Sequence, residues 1–182
     1  MEYVTLNNGV KMPMAGIGTF LLTPDEAENS VAHALKDGYR LIDTANAYVN
    51  EKAVGRAIKK SGIDRSEIFL ETKLRPSFYE QEDAVEKTHK EGKVKAIGLS
   101  NFNEEQIQEI LDICEVKPAV LQTEVHPYDQ EKKLKEFLAK SDIVIQAWYP
   151  LGYYLATKFY VMANPSYRIL VSRETGNIEE VP

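Results

Sequence analysis

Five short apolar runs recur along this chain at a spacing of roughly 25 residues, separated by segments whose apolar residues follow the three-to-four period of amphipathic helices. The runs occupy residues 39–42, 68–73, 94–99, 119–125 and 143–148. Each is too brief for a helix and is bounded like an inner strand. Strands joined through helices run parallel, because an antiparallel pair needs only a tight turn whereas a parallel crossover consumes a dozen residues or more. The fold class expected is therefore α/β, built of successive (β/α) repeats.

The intervening segments carry their own punctuation. Thr23-Pro24-Asp25-Glu26 reads as a helix start, with Thr23 capping and Pro24 in the first position, and Asp37-Gly38 stops that helix. A second helix is expected over 50–60, ending at Ser61-Gly62, and a third through 79–90, opening at Pro76-Ser77. Asn103 caps a helix over 103–113 that turns Ile107, Ile110, Leu111 and Cys114 inward, and a last one spans 132–140. Cys114 is the single cysteine and reads as a small buried hydrophobe. Ahead of the repeats, residues 3–6 and 10–14 flank Asn7-Asn8-Gly9 and read as a hairpin.

Chemistry gathers where the strands end. Asp43 closes the first run and Lys73 the second, so in neighbouring parallel strands they share one rim with Tyr48 on the loop between. A half-buried carboxylate there needs a cationic partner. A tyrosine phenol has a reference pKa of about 10, and an adjacent ammonium stabilises its phenolate and pulls that value down. Tyr48 is thus a candidate general acid. Spacing alone favours the plainer alternative, an Asp43–Lys73 ion pair that staples two strands with Tyr48 a loop residue. Gly16 to Phe20 adds two glycines that let backbone approach a ligand.

With 22 basic and 28 acidic residues in 182, the net charge of −6 argues against nucleic acid or an anionic membrane as a partner. No apolar run approaches the roughly 20 residues of a membrane helix, and the first residues lack a basic and apolar leader, so a cytoplasmic protein is expected. No metal site is read.

Four motifs add a resemblance. GYRLIDTANAYVNEKAVG (38–55), AIGLSNF (96–102), QTEVHPY (122–128) and QAWYPLG (146–152) resemble, in sequence and order, the signatures of the aldo-keto reductases, TIM-barrel enzymes that use NADPH. The likeness covers Met1 to Gly152 and is nearest to the bacterial reductases similar to 2,5-diketogluconate reductase. It implies reduction of a small aldehyde or ketone, with hydride delivered to the carbonyl carbon. Tyr48 would protonate the developing oxyanion, Lys73 would lower the pKa of Tyr48, and Asp43 would orient Lys73. NADPH would be met by Gly18, Thr19, Asp43 and Leu151; Ser100, Asn101 and Gln122 would hold the nicotinamide carboxamide, and Trp148 would stack on its ring. Without the resemblance, Ser100 and Asn101 read as ordinary caps and Trp148 as a core residue.

The chain also departs from that pattern. Relatives place a further strand and helix between the third helix and the run at 94–99, and that strand ends in a catalytic histidine. His89 lies on a charged helix end and does not match it, and His126 reads as a hydrogen-bonded structural histidine. Arg75 stands where relatives commonly place a tryptophan lining the substrate pocket. A complete barrel needs about 250 residues, so the expectation is an incomplete barrel of about five βα units plus the N-terminal hairpin over 1–152, followed by an unrelated tail over 153–182. The basic residue for the adenosine 2′-phosphate would be lost with the missing part, leaving NADPH binding weak. Two functions follow: a reductase of impaired activity, or a non-catalytic remnant acting through an interface. Open sheet edges would favour a homodimer.

Overall fold

The computed structural model describes residues 1–74 and 82–152. Arg75, the expected helix start at Pro76-Ser77 and the tail over 153–182 lie outside the described residues. An antiparallel hairpin, β1 (Tyr3–Thr5) and β2 (Lys11–Pro13), precedes six strands, β3 (Gly16–Gly18), β4 (Leu41–Asp43), β5 (Phe69–Glu71), β6 (Gly98–Ser100), β7 (Val120–Glu124) and β8 (Val144–Trp148). Between them run α1 (Pro24–Lys36), α2 (Glu51–Ser61), α3 (Glu82–Lys90), α4 (Glu104–Ile113) and α5 (Lys132–Ala139). The six strands form two parallel sheets, β3-β4-β5 and β6-β7-β8. Among the described residues β5 and β6 do not pair. The break falls where the sequence reading expects a βα unit to be missing.

The first sheet is covered by α1 and α2. Ala27, Val31 and Leu35 of α1 and Ala53, Val54, Ala57 and Ile58 of α2 close on Ile42 and Ile68. Full burial of an aliphatic side chain of this size contributes about 1.5–3 kcal/mol. Both helices are delimited as the sequence predicts. Thr23 and Glu26 form a reciprocal capping box with Pro24 in the first turn, and Gly62 ends α2 at a φ of 70°. Glu28 of α1 bonds Arg56 and Lys60 of α2 at 2.6 and 2.5 Å across the exposed seam. A matching core under the second sheet joins Ile107 of α4, Leu121 of β7, and Leu134 and Leu138 of α5.

The hairpin seals one end of both sheets. Leu6 and Met12 pack with Ala119, Phe69, Val120 and Val144, and Asn7 donates to the Pro118 carbonyl at 2.8 Å. The opposite end, where the strands finish, is left for polar groups.

Strand β3 is the element that periodicity does not reveal. Glycine disfavours strands, yet Gly16 pairs with Leu41, and a Cβ built on Gly16 would meet the Leu41 side chain at 2.5 Å. Only a residue without a side chain fits there. With β3, the described residues form five βα units followed by β8. The third run also starts later than expected, at Gly98 rather than residue 94.

Candidate active site

The site is built where β4 and β5 finish. Asp43 and Glu71 are register partners on these strands, so by the two-residue period both side chains leave the same face. The pairing continues past the strands, because the Thr44 amide donates to the Glu71 carbonyl at 3.0 Å and the Asn46 amide to the Lys73 carbonyl at 3.1 Å. That extension holds Lys73 beside Asp43. The Lys73 ammonium donates to Asp43 Oδ1 and, at 3.1 Å, to the Thr44 carbonyl. Its Nζ lies 5.4 Å from the centre of the Tyr48 ring.

Tyr48 ends a 3-10 turn, Asn46–Tyr48, whose next residue, Val49, takes a φ of 60°. A β-branched residue rarely adopts that backbone, and Val49 is exposed, so this turn is set by its surroundings and not by its own packing. Phe20 lies against the Tyr48 ring with centroids 5.1 Å apart. Burial pushes the Tyr48 phenol above the ordinary tyrosine range. Lys73 pulls it down, but Asp43 and Glu71 add to the upward push. The net direction is the reverse of the sequence-based expectation, because burial opposes the one ammonium and is reinforced by the two carboxyl groups facing the phenol.

Thr19 and Gly18 stand beside Asp43 in different ways. The Asp43 carbonyl accepts from the Thr19 amide at 3.0 Å and from its hydroxyl at 3.1 Å. Fully buried, Thr19 thereby frames the end of β4. Gly18 is open, and a Cβ placed there would sit 3.8 Å from Asp43 Oδ2. Behind them is a residue that sequence reading missed. Asn50, 1% exposed, donates to the carbonyls of Thr19 and Leu22 at 2.8 and 3.0 Å and accepts from the Thr44 and Thr19 hydroxyls at 3.0 and 3.3 Å. Its position at the start of α2 gives the appearance of a cap, but the side chain makes no cap bond. Asn50→Ala strands several buried polar groups, each costing about 1–3 kcal/mol. An overall loss of about 2–4 kcal/mol is expected in urea unfolding, and a loss under about 1 kcal/mol would contradict this role.

The second sheet contributes Ser100, Gln122 and Gln146, aligned in register across β6, β7 and β8. Asn101 follows β6 at a φ of 61°, its amide donating to the Gln122 carbonyl at 2.9 Å. Trp148 ends β8, and its indole Nε1 donates to Asn101 Oδ1 at 2.7 Å while Tyr149 meets the ring edge-on. Leu151 is exposed in the turn beyond. The structure thus brings together Ser100, Asn101, Gln122 and Trp148 in one group and Asp43, Tyr48 and Lys73 in another.

Glu71 joins the two groups, and sequence reading did not single it out. Its Oε1 accepts from Gln122 Nε2 at 2.9 Å and from Gln146 Nε2 at 2.6 Å. Burial first, then the neighbouring Asp43 charge, pushes its carboxyl up to about 8. The one available signal was its place in Phe69-Leu70-Glu71, an acid at an inward position of an inner strand. His126 serves structure as expected, its Nδ1 accepting from the amides of Tyr128 and Asp129 at 3.2 and 3.1 Å while Nε2 faces Glu124 at 3.4 Å. His89 lies in the last turn of α3.

Comparison with known proteins agrees with this layout. The model of the aldo/keto reductase family matches residues 14–83 and 75–169, two stretches that overlap at 75–83, ahead of the deletion expected after α3, the second running past the last motif at Gly152. Morphine 6-dehydrogenase of Pseudomonas putida is 37% identical, over 82% of this chain and 63% of its own length. Glyoxal reductase of Bacillus subtilis (strain 168) is 35% identical over 82% of this chain and 67% of its own length. The chain therefore spans about two thirds of the length of these relatives. The crystal structure of an aldo/keto reductase from Brucella melitensis superposes with a TM-score of 0.81 at 37% identity, covering 85% of this chain and 74% of that one. MGS-M4, an aldo-keto reductase enzyme from a deep-sea metagenome library, gives 0.82 at 35% identity, with 88% and 73% covered. Strand order, the Asp43–Lys73–Tyr48 cluster and the family match over most of its length place this chain in the aldo/keto reductase family.

Proposed function

We propose that this chain reduces an aldehyde or ketone to the alcohol, using a nicotinamide dinucleotide as reductant. The observation that carries the reading is the Lys73 ammonium, bonded to Asp43 and to the Thr44 carbonyl and set 5.4 Å from the centre of the Tyr48 ring. Tyr48 holds a proton at its Oη and releases it to the carbonyl oxygen as negative charge develops there. Lys73 stabilises the phenolate left behind, and Asp43 fixes Lys73 in place. The Phe20 ring shields one side of Tyr48 from water.

The residues present fit a nicotinamide. A carboxamide needs both donors and acceptors, which a hydroxyl and two side-chain amides at Ser100, Asn101 and Gln122 supply. When bound, the cofactor would supply the hydride. Incubation of the protein with NADPH and an activated aromatic aldehyde should yield the alcohol. No alcohol at stoichiometric protein would overturn the reading. In that case the second reading, a non-catalytic remnant, is favoured by the absence of pairing between β5 and β6 among the described residues.

Cofactor preference is expected to be slight, because the part of the family pattern that pairs a cation with the 2′-phosphate has no match in this chain. Charge-assisted contacts of that kind are the strong ones. NADPH and NADH are expected to bind within about tenfold of each other, a gap of under about 1.4 kcal/mol. Trp148 is the only tryptophan, so its fluorescence reports each titration at fixed ionic strength. Quenching by NADPH at far lower concentration than by NADH would contradict this.

A further inference from the structure

Glu71 reaches from the first sheet to the second through one carboxyl oxygen. Oε1 accepts from the amides of Gln122 and Gln146, which face it from β7 and β8 of the other sheet. No other side-chain hydrogen bond runs between the two sheets among the described residues. On its own sheet the carboxyl faces Asp43, its register partner, whose charge adds to the upward push of burial. Two carboxyl groups in that contact cannot both be ionised without strong repulsion. Asp43 already carries the Lys73 ammonium, whereas Glu71 receives only neutral amide donors from the second sheet. The proton therefore resides on Glu71, in keeping with a carboxyl pushed up to about 8.

The groups facing Glu71 from each packed element are few. Asp43 approaches from β4, Tyr48 from the turn after it, and Lys73 from the chain beyond β5. From β7 and β8 come Gln122 and Gln146, both uncharged. Glu124, the next inward residue of β7, is engaged with His126.

We propose that Glu71 is a positioning residue: in its protonated form it donates to Asp43 while accepting from Gln122, and so locks the Asp43–Lys73–Tyr48 cluster to the half of the site that carries Ser100, Asn101 and Trp148. The proposal rests on the reductase reading for its kinetic consequences, not for the proton itself. Loss of the proton places a second anion beside Asp43, competing for Lys73 and opposing ionisation of Tyr48. The sign is fixed: the competent form exists below the Glu71 pKa and disappears as pH rises through it.

A glutamine reproduces the protonated acid, since its oxygen accepts from both amides and its Nε2 donates to Asp43. A leucine reproduces neither. In aldehyde reduction, Glu71→Leu should lower kcat by about tenfold or more below about pH 8, where the wild type keeps the Glu71 proton, and by less above it. Glu71→Gln should recover most of that loss and lack the alkaline fall near pH 8 expected of the wild type. The readout that needs no turnover is the infrared C=O stretch of a protonated carboxyl, present in the wild type at neutral pH, lost as pH is raised through about 8, and absent from Glu71→Gln. An inactive wild type whose carboxyl band titrates this way refutes the reductase reading and leaves the Glu71 link to Asp43 standing. The proposal is overturned if the band is missing at neutral pH, or if an active Glu71→Gln variant keeps the wild-type alkaline limb.

Discussion

Unfolding free energies measured from about pH 5 to pH 9 should fall steadily for the wild type relative to Glu71→Gln, with the difference levelling off above pH 8. The cause is linkage. In the folded chain Glu71 keeps its proton up to about 8, whereas its model value is 4.5. Between those limits the folded state binds a proton that the unfolded state has released, so stability is full below the lower value and is lost as pH rises through the upper one. A gap of this width corresponds to a few kcal/mol, about 1.36 kcal/mol per unit. The other resolved shifts act outside this window. Glu26, Glu28, Asp64 and Glu115 are held below the usual carboxylate range by hydrogen bonds and cations, so their contributions are present above their unfolded values and fade only in acid. Tyr48 and Cys114 are pushed upward by burial and titrate in more alkaline solution. Comparing the two proteins at each pH removes the histidines from the difference. Parallel curves would show that Glu71 is ionised in the folded state.

Much of this architecture is legible in the sequence because parallel strands and their helices leave separate periodic marks. The capping boxes at Thr23 and Asn103, the helix stop at Gly62 and the strand-end positions of Asp43 and Trp148 all follow from local residues. What sequence does not display is anything decided across strands. Gly16–Gly18 becomes a strand because Leu41 fills the space a side chain would need, not because glycine favours the conformation. Asn50 stands at a helix start, where its residue type is ordinary, and acquires its role only once Thr19, Leu22 and Thr44 are folded around it. Glu71 is an unremarkable acid in a strand until Gln122 and Gln146, distant in sequence, arrive on its oxygen. The direction of the Tyr48 shift fails for the same reason. The Lys73 ammonium, at the end of the next run, is legible as a neighbour of the phenol, but the burial that outweighs it and the second carboxyl that reinforces burial are not.

In the proposed carbonyl reduction the Tyr48 hydroxyl supplies the proton. Tyr48→Phe removes that one oxygen and keeps the ring that packs on Phe20, so the fold and the Lys73–Asp43 pair are expected to persist. A positioned general acid contributes roughly 10²- to 10⁴-fold, a barrier difference of about 2.7–5.4 kcal/mol. By the sequence reading the family's catalytic histidine has no match here, so turnover by the wild type itself is expected to be slow, and the comparison is best made in single-turnover conditions with enzyme in excess. The most direct measurement is the first-order rate of NADPH oxidation by an activated aldehyde, followed for wild type and Tyr48→Phe at the same pH and saturating cofactor. A measurable wild-type rate is expected, with the variant slower by at least a hundredfold and cofactor quenching of Trp148 unchanged between the two. Equal rates for the two proteins would contradict that role of Tyr48.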